Sequence, residues 1–139
     1  MRLDLSSFEK AVAQLETSLK YLGSDLAQND EALKAQFRGA SILAYEYTYE
    51  LCAKMVKRQL EEILPNQADV DGMAFMDMMR SAAEAGLVRD AVKFKLYREK
   101  RNITSHTYDV EKAEEVIGVL DEFLRNVRFI LAELKRRNA

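Results

Sequence analysis

The sequence predicts an all-α protein, an antiparallel up-and-down four-helix bundle with one additional short helix, forming a single domain over residues 1–139. Three observations carry that expectation. Only five glycines and one proline interrupt the 139 residues, while Ala, Leu, Glu, Lys, Arg and Met, all good helix formers, are plentiful. Apolar side chains recur every three or four residues in successive segments. The length suits one continuous core and is short for two.

Ser6 followed by Glu9 has the spacing of a capping box. Phe8, Val12, Leu15, Leu19 and Leu22 then keep helical spacing, so a first helix is expected from about Ser7 to Leu22, broken by Gly23 and Ser24. Asn29 or Asp30 can cap a second helix that meets no breaker before Pro65. At 1.5 Å per residue it would reach about 50 Å and form the spine of the fold. Two apolar rows lie on this spine: Leu33, Phe37, Ala40, Ala44, Tyr47 and Leu51, and beside them Ile42, Tyr45, Tyr49, Cys52, Val56, Leu60 and Ile63. So wide an apolar face requires more than one neighbour. Glu46, Glu50 and Lys54 sit four apart and read as a solvent-facing ladder, with Glu50 and Lys54 in the favourable orientation.

Pro65, Asn66 and Gln67 predict a loop, and Asp69 or Asp71 a cap for a short Met-rich helix that stops at Gly86. Its Met73, Phe75, Met76 and Met79 read as core filler rather than a cofactor box. A basic helix is expected from Arg89 to about Arg101, carrying Val92, Phe94, Leu96 and Tyr97. Asp109 stands where an N-cap belongs. The last helix follows, with Ala113, Val116, Leu120, Phe123, Val127, Ile130 and Leu134 in register, and Lys135-Arg136-Arg137 complements its negative end.

A formal net charge of −2 argues against a protein that coats nucleic acid by bulk electrostatics. Cys52 is the single cysteine, so the sequence offers no intrachain disulfide and no zinc-ligand cluster; its setting fits a small core side chain. No apolar run approaches the roughly 20 residues of a membrane span, and Met1-Arg2-Leu3-Asp4 lacks the apolar core of a secretion signal. A cytoplasmic location and no membrane partner are expected. Gly-rich phosphate loops, metal-spaced carboxylates and nucleophile elbows do not occur.

Candidate chemistry is therefore confined to the junction Arg101-Asn102-Ile103-Thr104-Ser105-His106-Thr107-Tyr108. His106 is the only histidine, the side-chain type that exchanges protons near neutral pH. On the residues alone, a surface or cap-supporting histidine is its commoner role. Arg89, Lys93, Lys95, Arg98, Lys100 and Arg101 outweigh Asp90 and Glu99 here, usually a solvated face but also the one place for a polyanion to dock. In an unbroken helix, five residues turn the chain by about 140°, which would point Arg101 and His106 apart. Thr104, Ser105, Thr107 and Asp109 favour a helix end or tight turn instead.

Cleaving RNA requires a group to take the 2′-hydroxyl proton, one to protonate the leaving oxygen, and a cation on the phosphate. Arginine suits the last task because its planar fork binds phosphate oxygens and stays charged. One histidine cannot easily serve as both acid and base, so a two-fold homodimer with two copies of Arg101 and His106 in one cleft is expected if RNA is the substrate. Lys95, Arg98 and Lys100 are the candidate RNA or phosphate contacts, and no metal is required.

Arg101, four intervening residues and His106 resemble the signature of the HEPN superfamily, an arginine, four to six residues, then a histidine. The likeness extends to Glu84-Ala85-Gly86-Leu87 and to Tyr45-Glu46-Tyr47-Thr48-Tyr49-Glu50-Leu51 with Lys54, and so over nearly the whole chain. Within the superfamily it resembles the nucleotidyltransferase substrate-binding branch, also described as HepT-like toxins.

The resemblance implies a dimeric helical bundle paired with a separate minimal nucleotidyltransferase. It implies that Arg101 and His106 are a ribonuclease pair supported by Asn102, and that Tyr108 is adenylylated by the partner, which would use ATP; the chain itself would need no cofactor. A bulky, negative nucleotide there would occupy the space RNA needs. Without the family, Tyr108 reads as packing over the start of the last helix. Phe is usual in the family where Tyr45 stands, Trp where Ala53 stands, and a Trp is frequent near Phe94, whereas this chain has no Trp. Two alternatives stand beside the ribonuclease: a non-catalytic substrate-binding subunit of a two-component nucleotidyltransferase, and a structural helical adaptor.

Overall fold

The structure, a computed structural model, describes residues 2–139, with Gln67 described by its backbone. Met1, which opens the stretch weighed as a secretion signal, lies outside the described residues. Among these the architecture is all-α, without a strand: α1 Ser6–Leu22, α2 Asp25–Gln28, α3 Glu31–Ile63, α4 Gln67–Asp71, α5 Phe75–Glu84, α6 Lys93–Asn102, a 3₁₀ turn Thr104–His106, α7 Val110–Ile117 and α8 Leu120–Arg137. No helix among the described residues is long and apolar enough to cross a membrane.

The start of α1 differs from the expected capping box. Among the described residues Ser6 and Glu9 form no reciprocal pair; instead the Asp4 carboxylate accepts from both the backbone N–H (3.0 Å) and the hydroxyl (2.7 Å) of Ser6. The aspartate reaches the free end of the helix from outside, so Ser6 is drawn in as its first residue. Ser24 caps the short α2 through Ala27 N–H, and Asp30 caps the spine by accepting from Ala32 N–H at 3.0 Å and Leu33 N–H at 3.2 Å. The spine runs 33 residues. It ends where Pro65 drives Leu64 into extended backbone, φ −81° and ψ 146°.

α3 packs against α1, α5, α7 and α8, which accounts for its wide apolar face. Ile42, Ala44, Tyr45, Cys52, Met55, Val56 and Leu60 are buried on it, whereas Ala40, Tyr47 and Ile63, placed in the apolar rows by spacing, face outward. Two of the polar side chains buried with them bond to their own helix, Ser41 Oγ donating to Phe37 O and Thr48 Oγ1 to Ala44 O, whereas Gln59 Oε1 accepts from Asn138 Nδ2 at 2.9 Å.

Three further elements depart from expectation. The Met-rich segment is two helices, α4 and α5, and the side chain that caps α4 is Asn66 through Ala68 N–H, not Asp69 or Asp71. Met78 and Met79 fill the core, with Met73 and Phe75 packed at its edge. α6 starts at Lys93 rather than Arg89, leaving Val92 outside the core and 79% exposed. The last helix is broken at Gly118-Val119, where a glycine, the weakest helix former after proline, is followed by a β-branched residue. One apolar stripe nevertheless continues across the break: Ala113, Val116, Leu120, Phe123, Val127, Ile130 and Leu134 are all buried.

α5 stops as expected at Gly86, whose φ of +76° belongs to the left-handed region that glycine occupies without strain. Arg137 Nη2 donates to the terminal Ala85 carbonyl at 2.6 Å, tying the end of α8 to the end of α5. At the centre, the Tyr45, Tyr97 and Phe123 rings meet edge to face, with centroids 4.8 and 5.1 Å apart. This aromatic cluster joins α3, α6 and α8, and fixes the helix that carries Arg101.

Candidate functional site

Phe94 and Tyr97 bury one side of α6 in the core, leaving its basic side chains outward. The Tyr45 hydroxyl, on a fully buried residue, donates to the carbonyl of Tyr97. In an α-helix that carbonyl also accepts from the N–H of Arg101. The Tyr97 hydroxyl donates to Glu122 Oε1 at 2.9 Å and accepts from Asn126 Nδ2 at 2.6 Å. Burial raises both tyrosine pKa values well above the phenol range, so the two hydroxyls act as neutral partners.

The helix ends at Asn102, and Thr104–His106 forms a single 3₁₀ turn. The threonines make that ending: Thr104 Oγ1 donates to Arg101 O at 2.8 Å and Thr107 Oγ1 to Thr104 O at 2.9 Å. Asp109 then caps α7 by accepting from Glu111 N–H at 2.9 Å, as its position implied. The junction is thus a helix end followed by a turn, and Arg101 and His106 do not lie on one unbroken helix.

Arg101 is held by three side chains. Its Nη2 lies 2.5 Å from Glu50 Oε1, its Nη1 donates to Thr104 Oγ1 at 3.0 Å, and Glu46 Oε2 stands 3.8 Å from Nη1. The hydrogen bond with Glu50 raises the guanidinium's pKa further, against a smaller opposing effect of burial, so the charge is permanent. Glu46 and Glu50 were missed as site residues because helical spacing paired Glu50 with Lys54. The available signal was the long-range one, two carboxylates one turn apart on the spine facing a basic helix.

His106 is exposed, and its ring makes no hydrogen bond among the described residues. No hydrogen bond joins it to Arg101 within these described residues. The Tyr108 ring lies edge-on with its centroid 6.4 Å away and is 86% exposed, so it projects into solvent and does not pack over the start of α7. Asn102 and Lys95 are exposed. Arg98 is exposed with its guanidinium carbon 5.7 Å from the Phe75 ring centroid, and Lys100 Nζ approaches Glu115 at 3.9 Å. Cys52 is buried and its thiol pushed up to about 12, in keeping with a core side chain. Among the described residues no three His, Cys, Asp or Glu side chains gather as a metal site.

Comparison with known proteins gives this arrangement its relatives. The chain is 45% identical over 98 residues to a Haemophilus influenzae protein named probable ribonuclease HepT, a match covering 70% of this chain and 67% of that one. Its fold is similar to that of the HI0074 protein of Haemophilus influenzae, described as the fold of a substrate binding domain of a nucleotidyltransferase, with a TM-score of 0.91 and 34% identity over 95% of this chain and 99% of that one. Residues 3–136 match the family described as nucleotidyltransferase substrate binding protein like, and the chain belongs to that family.

Proposed function

We propose that this chain is a cytoplasmic, metal-independent endoribonuclease, the toxin of a toxin-antitoxin pair, silenced when a separate minimal nucleotidyltransferase adenylylates Tyr108. The supporting observation is an arginine oriented by three side chains, followed after one turn by an exposed histidine and tyrosine. The name of the 45% identical relative supports the same reading.

In this mechanism the 2′-oxygen of RNA attacks phosphorus while its proton passes to an acceptor. The bond from phosphorus to the 5′-oxygen breaks, and that oxygen receives a proton from a donor, leaving a 2′,3′-cyclic phosphate and a 5′-hydroxyl. Arg101 offsets the charge that develops on the phosphate oxygens, and Asn102 adds a polar contact. With one histidine per chain, acceptor and donor are the two copies of His106 in a homodimer. Exposed Leu43 and Tyr47 lie on the same spine face as Glu46 and Glu50, an apolar ridge suited to a second copy. Lys95, Arg98 and Lys100 would contact the RNA backbone. The chain would need no cofactor of its own, and the ATP would be consumed by the transferase. An adenylate on Tyr108 would set a negative, bulky group beside His106.

The second reading, a non-catalytic substrate-binding subunit of a two-component nucleotidyltransferase, is favoured by the description of the HI0074 fold. RNA cleavage in the presence of chelator, lost in Arg101→Ala and His106→Ala, separates them. The ribonuclease predicts cleavage by wild type alone, and the binding subunit predicts intact RNA and a stable complex with the transferase. The silencing step is read by mass: incubation with that transferase and ATP should add adenylate mass to wild type and none to Tyr108→Phe.

A further inference from the structure

Next to Arg101 lie two aromatic side chains that the cleavage chemistry does not use, crossed by Arg98, one of the residues placed on the path of the RNA backbone. Tyr49 on α3 and Phe75 at the start of α5 face each other with ring centroids 5.8 Å apart and planes 32° apart, and both are only partly buried. Arg98 lies over the Phe75 ring with its guanidinium carbon 5.7 Å from the centroid. Lys93, Lys100 and Arg101 each have a carboxylate neighbour on another helix, whereas among the described residues Arg98 has none. Its distinguishing contact is aromatic.

The group is continuous with the site. Arg98 precedes Arg101 by three residues of α6, or about 4.5 Å along the axis, a separation on the order of one nucleotide. Tyr49 adjoins Glu50, the carboxylate that holds Arg101. Both arginines act electrostatically on the Tyr49 hydroxyl, which burial pushes up to about 12, so it meets a ligand as a neutral donor or acceptor.

We propose that Arg98, Phe75 and Tyr49 form a nucleobase-stacking subsite that receives an unpaired base of single-stranded RNA whose neighbouring phosphate is bound by Arg101. This deepens the ribonuclease reading and rests on it for the assignment of Arg101. The physical basis is that a guanidinium plane and aromatic rings stack on any base removed from its own stack, by about 1–3 kcal/mol per base. A basic side chain on the same group places the subsite on the path of the phosphate backbone. Bases within a duplex cannot stack there, so the subsite selects loops and single strands.

The test uses the full-length His106→Ala protein, which binds without cleaving, and fluorescein-labelled RNA of identical sequence as a single strand and as a duplex. Adding Phe75→Leu, which removes the ring without altering charge, should weaken single-strand binding by about 5- to 100-fold and leave duplex binding unchanged. Arg98→Lys, at an exposed position that keeps the charge, should act in the same direction, and it carries the test should Phe75→Leu fold poorly. Unchanged single-strand affinity in a folded Arg98→Lys or Phe75→Leu protein overturns the subsite, as does equal loss for duplex and single strand. The parent reading fails separately: if wild type cleaves no RNA while binding still depends on Phe75, the ribonuclease falls and the subsite stands. Cleavage by wild type with Phe75-independent binding gives the converse.

Discussion

Removing the two buried tyrosine hydroxyls one at a time should destabilise the protein unequally, Tyr97→Phe more than Tyr45→Phe. Tyr45→Phe deletes a hydroxyl whose partner, the Tyr97 carbonyl, keeps its own helical bond. The loss is one net hydrogen bond, about 0.5–1.5 kcal/mol. Tyr97→Phe deletes a hydroxyl that donates to Glu122 and accepts from Asn126. Glu122 still has Lys93 Nζ at 3.4 Å, but the Asn126 amide, only 8% exposed, loses its acceptor. An unsatisfied buried donor costs about 1–3 kcal/mol, which for a chain of this size is a fall in Tm of about 3–5 °C per kcal/mol. Urea titration followed by circular dichroism, with thermal melts beside it, measures both variants. Because Tyr45 and Tyr97 share one network, the double variant should deviate from the sum of the two. Equal losses, or a larger loss for Tyr45→Phe, would refute the assignment of Tyr97 as the connecting residue.

Two further outcomes follow from the geometry. Glu50→Ala should change stability by less than about 1 kcal/mol, because the Arg101 and Glu50 side chains are 28% and 60% exposed. It should nevertheless lower kcat for RNA by about 10- to 100-fold as the guanidinium loses its orientation; Glu50→Gln, which retains an acceptor, should keep most of the activity. Cys52 should resist alkylation at pH 8 until the protein unfolds, since burial holds its thiol protonated up to about 12 against an ordinary value of 9.0. Its folded pKa is raised, so the associated stability is fully present below pH 9 and is lost as pH climbs toward 12. Tyr49, raised from 10.0 to about 12, adds to the same alkaline loss. A melting temperature that stays constant from pH 9 to 11 would contradict both burial assignments.

The sequence was most informative where a single local rule decides the outcome. Asp30, Asp109 and Gly86 did what their types do at helix ends, and the stripe from Ala113 to Leu134 was buried throughout. It was less informative where two local signals competed. The stripe's unbroken period concealed the break at Gly118, and Asp4 outcompeted Ser6 at the first cap. At the site, the turn between Arg101 and His106 was legible from its threonines, whereas the carboxylates on Arg101 were not. Glu46 and Glu50 reach it across 51 or more residues of chain, a contact that only tertiary packing creates. The exposure of Tyr108 was equally a tertiary matter, because an aromatic near a helix start packs inward as readily as it projects.

Metal-independent ribonuclease activity is tested most directly by cleavage of a single-stranded RNA by the purified chain in excess chelator, with products resolved by mass. Wild type should give fragments ending in 2′,3′-cyclic phosphate and 5′-hydroxyl, and His106→Ala or Arg101→Ala folded to the same Tm should give none. Intact RNA after prolonged incubation with wild type, or undiminished cleavage by either variant, would contradict it.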